Sequence, residues 1–162
     1  MCIAILEKNS FYINKIKYLG LNTIFRTDNS KSTIIIRLMV GLIFLSEGVQ
    51  KFIRPESVGI GRFEKIGFDN FGFWANFTGT FEIICGFLLI IGLFTRISAF
   101  ILFVIIAVAL FKTKIPILVD KGLWDFLHDS RTDWAMSMGS LFLLLKGSGK
   151  IGLDYLFFNS RS

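Results

Sequence analysis

Residues 32–52 read STIIIRLMVGLIFLSEGVQKF, and the fold class turns on this stretch. A bilayer's hydrocarbon core is roughly 30 Å thick, and a helix rising about 1.5 Å per residue needs about 20 residues to cross it. The run from Thr33 to Phe52 has that length, and Arg37 stands near enough to its start to snorkel to the interface. Inside lipid the backbone can bond only to itself, so a run of this kind is a helix.

The same logic extends outward. After a polar loop, RPESVGIGRFEKIGFDN at 54–70, a second apolar run spans about 72–94. Thr95-Arg96 allows only a tight turn before a third run, about 97–115, so these two spans must be antiparallel neighbours. The stretch GLWDFLHDSRTDW, 122–134, reads as a loop whose tryptophans suit the headgroup region. A short fourth span follows at about 132–146. The expectation is an all-α, integral membrane four-helix bundle over residues 32–157. A basic, amphipathic segment at 1–31 precedes it and a tail at 158–162 follows it.

Composition agrees. Hydrophobic residues make up 53% of the 162, against 19% charged, which is too little polar surface to cover a soluble fold of this size. The net charge of +6 does not point to nucleic acid, because Lys8, Lys15, Lys17, Arg26, Lys31 and Arg37 cluster ahead of the first apolar run. In that place basic residues mark a cytoplasmic segment, so both termini are expected in the cytoplasm and the chain in the plasma membrane. Cys2 and Cys85 stand far apart and form no Cys-x-x-Cys redox motif.

Ionisable residues inside apolar spans carry the functional signal, since lipid penalises them by roughly 2.5–3.5 kcal/mol each near a span centre. Glu82 shares its face of the second span with Ala75, Thr78, Gly79, Cys85 and Gly86, all within about 60° at 100° per residue. Phe77, Ile84, Phe87 and Ile91 lie opposite. Glu82 should therefore face a closely packed neighbour. It reads equally well as a structural carboxylate that holds register. Glu47 and Lys51, spaced i, i+4 in the favourable order, should pair on the first span, with Gln50 beside them. Lys112 and Lys114 end the third span on the same side. Glu47, Gln50, Lys51, Glu82 and Lys112 are thus the ligand-binding or proton-handling candidates, either as a satisfied polar plug or as the lining of a pocket in the outer half of the bundle.

Other motifs lead nowhere. GSGK at 147–150 lacks the glycine and hydroxyl a phosphate loop needs, since Leu144 and Ile151 hold those places. The single histidine, His128, lies among scattered aspartates and gives no metal signature and no catalytic triad.

Three motifs resemble the DoxX family of small membrane proteins. They are Gly41-Leu42-x-Phe44-x-x-x-Gly48-x-x-Lys51, then Glu82-x-x-x-Gly86-x-Leu88-Leu89-x-x-Gly92-Leu93-x-Thr95-Arg96, and finally Gly147-x-Gly149-x-x-x-Leu153-Asp154. Lys146 departs from the pattern by standing where an apolar residue is usual. The resemblance implies four membrane helices. It also implies a role as membrane subunit or accessory of a quinone- or thiol-linked redox complex, as in thiosulfate:quinone oxidoreductase assemblies. The implied cofactor is a quinone, with none bound covalently, and the implied partners are the bilayer and redox proteins or a quinone, with a homo-oligomer left open. Two other readings stand beside it: a non-catalytic scaffold or anchor, and, less attractive for a chain without internal repeats, a small carrier.

Overall fold

The structure, a computed structural model, describes residues 27–159. Most of the basic segment expected at 1–31 therefore lies outside the described residues. The described chain forms α1 (Thr33–Ile53), a short α2 (Ile60–Lys65), α3 (Phe71–Ile91), α4 (Thr95–Lys121) and α5 (Leu123–Lys146). A π-helical turn, Tyr155–Asn159, comes last, and no strand occurs among the described residues.

Three of these helices, α1, α3 and α4, are long and apolar enough to cross a membrane. Helix α5 is not one of them, because Asp125, His128, Asp129, Arg131 and Asp133 crowd its first half. The chain is an all-α membrane helical bundle. Its long helices form two tightly packed antiparallel couples, α1 with α3 and α4 with α5, joined by lighter α3–α4 and α1–α5 contacts. The core between them holds Val40, Phe44, Cys85, Leu89, Leu102 and Leu143. Phe73, Phe77, Phe87 and Phe100 point outward, where lipid rather than water is the solvent.

Glycine sets the closeness of the first couple. A Cβ on Gly86 would lie 2.9 Å from the Gly41 carbonyl oxygen and from the Leu45 nitrogen. One on Gly48 would lie 2.8 Å from the Gly79 carbonyl oxygen. The two backbones thus touch at two levels about two turns apart, the geometry that small residues permit in membrane helices.

Two boundaries differ from the sequence expectation. The second span ends at Ile91, where Gly92 adopts φ 73° and its N–H and that of Leu93 close a Schellman-type cap on Leu89 and Leu88. The third does not stop near Pro116 but runs to Lys121, and the expected loop at 122–134 is the first half of α5. Pro116 removes one backbone hydrogen bond, yet tertiary contact outweighs that loss: Lys114 donates to the Asp129 carbonyl and sits 3.6 Å from the Asp133 carboxylate, lacing both segments into helix. The only break between them is Gly122, at φ 90°.

Replacing Gly86 with Leu should force α1 and α3 apart, costing about 1–3 kcal/mol by overpacking. Gly72→Ala, whose Cβ meets no atom within 4 Å, should leave stability unchanged or slightly raised. Thermal unfolding of the detergent-solubilised protein checks both.

Candidate functional site

Lys51 sits in the last turn of α1, and its Cβ, like every helical Cβ, leans back toward the helix N-terminus. That lean aims the side chain into the bundle rather than out to the near interface. Gly79 of α3, packed against the Lys51 Cβ, admits it to the couple. The ammonium reaches Glu82, one helix away, and the two form a direct charge-assisted hydrogen bond. The side chains keep 11% and 6% of their exposure. Glu82 occupies the small-residue face expected of it, with Ala75, Gly79, Cys85 and Gly86 buried beside it and Ile84 and Phe87 exposed opposite. The charges of Glu47 on α1 and Arg62 on α2 also act on it.

The candidates do not all gather there. Lys51 turns to Glu82 and not to Glu47, because a buried carboxylate is the stronger partner for an ammonium that has left water. Glu47 remains half-buried beside the pair. Gln50 donates to the Ser46 hydroxyl on its own helix. Lys112 leaves the cluster altogether and lies 5.5 Å above the ring of Phe68, a cation–π contact. Phe68 belongs to an aromatic run with Phe63, Trp74, Phe73, Phe77 and Phe81. Lys114, not Lys112, makes the polar tie between α4 and α5.

A second polar centre lies at the other end of the bundle. Arg37, expected to snorkel outward, is 2% exposed. Its guanidinium donates to the Ser148 carbonyl at 2.7 Å and the Ile151 carbonyl at 3.2 Å. A planar fork suits this arrangement, because two donors meet two carbonyls of one loop. A side chain on Gly92 or Gly152 would collide with that guanidinium. The same C-terminal loop carries Asp154, whose carboxylate accepts the N–H groups of Phe94 and Thr95 at 2.8 and 2.9 Å, capping α4. That bond compensates Phe94 for its left-handed φ of 50°. Thr27 closes the clasp, bonding the Gly149 N–H and the Ser148 hydroxyl. Lys146, atypical in the motif, meets Asp28 at 3.2 Å and holds its carboxyl below the usual range. Sequence reading missed this clasp as a unit. Its signals were an arginine within an apolar run and an aspartate just after two glycines.

Chemically, the Lys51–Glu82 pair, toward the face far from the clasp, can hold and exchange a proton between a carboxylate and an ammonium, whereas the clasp ties helix ends to the C-terminal loop. The motif residues divide the same way. Gly41, Gly48 and Gly86 set the α1–α3 approach, Gly92, Gly149 and Asp154 build the clasp, and Lys51 and Glu82 are left as the charged couple.

Comparison with known proteins agrees. The family model described as DoxX matches residues 32–114. The chain is 42% identical over 137 residues to the "Uncharacterized membrane protein Rv3486" of Mycobacterium tuberculosis, covering 81% of this chain and 84% of that one. It is 31% identical over 131 residues to the "Putative oxidoreductase CatD" of Bacillus subtilis, covering 80% and 89%. No solved structure matches.

Losing one member of the buried pair should destabilise more than losing both. Glu82→Ala strands the ammonium, at a cost of about 3–5 kcal/mol, and Lys51→Met with Glu82→Met should recover most of it. Chemical unfolding of the two variants measures the difference. For the clasp, Asp154→Ala removes the cap of α4 and should cost about 0.5–2 kcal/mol, read as a lower unfolding midpoint.

Proposed function

The chain belongs to the DoxX family of membrane proteins, and from that premise we propose that it is a membrane subunit or accessory of a redox assembly. Its own contribution is the Lys51–Glu82 pair, and a partner protein delivers the electrons. One observation carries this reading: a charged pair joins α1 to α3 in the interior of an apolar bundle. Well-packed apolar residues would hold two helices together as well or better than a buried ion pair. A carboxylate kept there at such expense is suited to taking up and releasing a proton alongside electron transfer. The word oxidoreductase in the name of the Bacillus subtilis relative supports the same direction.

A quinone headgroup does not fit the pair as it stands. Its carbonyls need an accessible donor, and although the Lys51 ammonium keeps N–H groups beyond the one given to Glu82, both side chains are about nine-tenths covered. The assignment is therefore to proton handling within an assembly whose electron acceptor is a quinone or a thiol–disulfide couple held elsewhere. We orient the clasp end toward the cytoplasm of a plasma-membrane protein, because the basic segment with Lys8, Lys15, Lys17, Arg26 and Lys31 leads into α1 at that end. We take the more polar α5 as a fourth crossing shielded by its packing on α4.

The test is Glu82→Gln in the full-length chain in native membranes. The expected result is a fall of about 10²-fold in quinone- or thiol-linked electron transfer, with protein level and co-purifying partners unchanged. An unchanged rate overturns the proposal. If the rate survives Glu82→Gln but is lost with residues 1–31, the chain is an anchor instead.

A further inference from the structure

Helices α1 and α5 meet closely at only one end of the bundle. A Cβ on Gly139 would press against Val40, with Met39 and Ile36 within 4 Å. Gly139 therefore marks the line of α5 that faces α1. At about 100° per residue, Asp125, His128, Thr132 and Ala135 all fall within about 40° of that line. All four are exposed. On α1, Glu47 and Gln50 continue the line of Ile36, Val40 and Ile43, and both keep part of their surface. With Val40 level with Gly139, the antiparallel register sets Glu47 opposite Thr132 and Gln50 opposite the turn at His128 and Asp129. Side chains that continued contact would bury are open on both walls.

The cause is that each helix is tied elsewhere. The Lys51–Glu82 pair draws the end of α1 onto α3. Lys114, reaching Asp133 and the Asp129 carbonyl, draws the start of α5 onto α4, where Ser130 is fully buried. Tied elsewhere, the facing lines of α1 and α5 stay uncovered toward the far face, the pattern that a wedge between the two couples leaves. Acyl chains cannot fill it without facing carboxylates, an imidazole and an amide. On both helices the lipid-facing residues lie on other lines: Val49 and Leu42 on α1, Met138, Trp134 and Leu127 on α5. Glu47 and Gln50 flank Lys51 along α1, so the open part of the wedge runs beside the ion pair.

We propose that this α1–α5 wedge is a water-filled cleft, open to the far face, through which protons reach and leave the Lys51–Glu82 pair. The step moves a proton and nothing else. A proton passing along water and the Thr132, Gln50 and Glu47 side chains adds to the Glu82 carboxylate to give the carboxylic acid beside the Lys51 ammonium, and it returns by the same route. The proposal rests on the proton-handling reading of the pair, but water in the cleft can be measured whether or not the assembly transfers electrons.

The experiment places single cysteines in the full chain with Cys2 and Cys85 replaced by Ser, in permeabilised membranes, and follows labelling by a charged, lipid-impermeant methanethiosulfonate. Gln50→Cys and Ala135→Cys should react about tenfold or more faster than the lipid-facing controls Val49→Cys and Met138→Cys, because a thiol held in apolar surroundings is inert. Thr132→Phe, a plug between Ala135 and the far-face opening, should slow the Ala135→Cys reaction toward the control rate. Thr132→Cys, a near-isosteric change on the opposite wall, repeats the measurement should Gln50→Cys unfold. Cleft cysteines that react no faster than the controls, or a plug without effect, overturn the proposal.

Discussion

A polar group in hydrocarbon has no solvent to bond to, and almost everything in this bundle answers that constraint. The backbone satisfies itself by forming helices. The helix ends at the clasp are met by Asp154, by Thr27 and by the guanidinium of Arg37. At the far end one carboxylate and one ammonium, each unaffordable alone, are admitted together. Glycine makes the meeting geometric as well as electrostatic. Only because α1 and α3 touch backbone to backbone at Gly41, Gly48, Gly79 and Gly86 can a lysine at the end of one helix reach a glutamate near the middle of the next.

Legibility in the sequence followed the range of the interaction. Helix existence came from apolar run length, and the inward face of Glu82 from its small neighbours at helical spacing, both local signals. Partner choice was not legible. Lys51 has Glu47 four residues away and Glu82 thirty-one away, and the nearer acid lost because burial, not sequence distance, fixes the strength of the pair. Arg37 misled for a related reason: an arginine near a span end usually reaches for water, but here carbonyls of a distant loop reach it first. The start of α5 misled through composition, since charges that resemble a loop sit on a helix stabilised by its neighbour.

Belonging to the DoxX family constrains the architecture more firmly than the reaction. The matched region, residues 32–114, contains both members of the Lys51–Glu82 pair and the Arg37, Gly92 and Thr95 side of the clasp, but not the loop at 148–154 that completes it. The match of the family model thus takes in the charged pair on α1 and α3, while the exposed polar line of α5 lies beyond it. That helix gives Met136 and Leu143 to the core while its first half carries exposed charge.

The clasp also bears on how the protein is made. Arg37 enters the bilayer early in synthesis, yet the carbonyls that accept its protons belong to residues 148 and 151, and the cap of α4 waits for residue 154. Until the last part of the chain leaves the ribosome, a guanidinium and a helix terminus stay unsatisfied in the membrane. A copy truncated before Ser148 would lack both the carbonyls that accept from Arg37 and the carboxylate that caps α4.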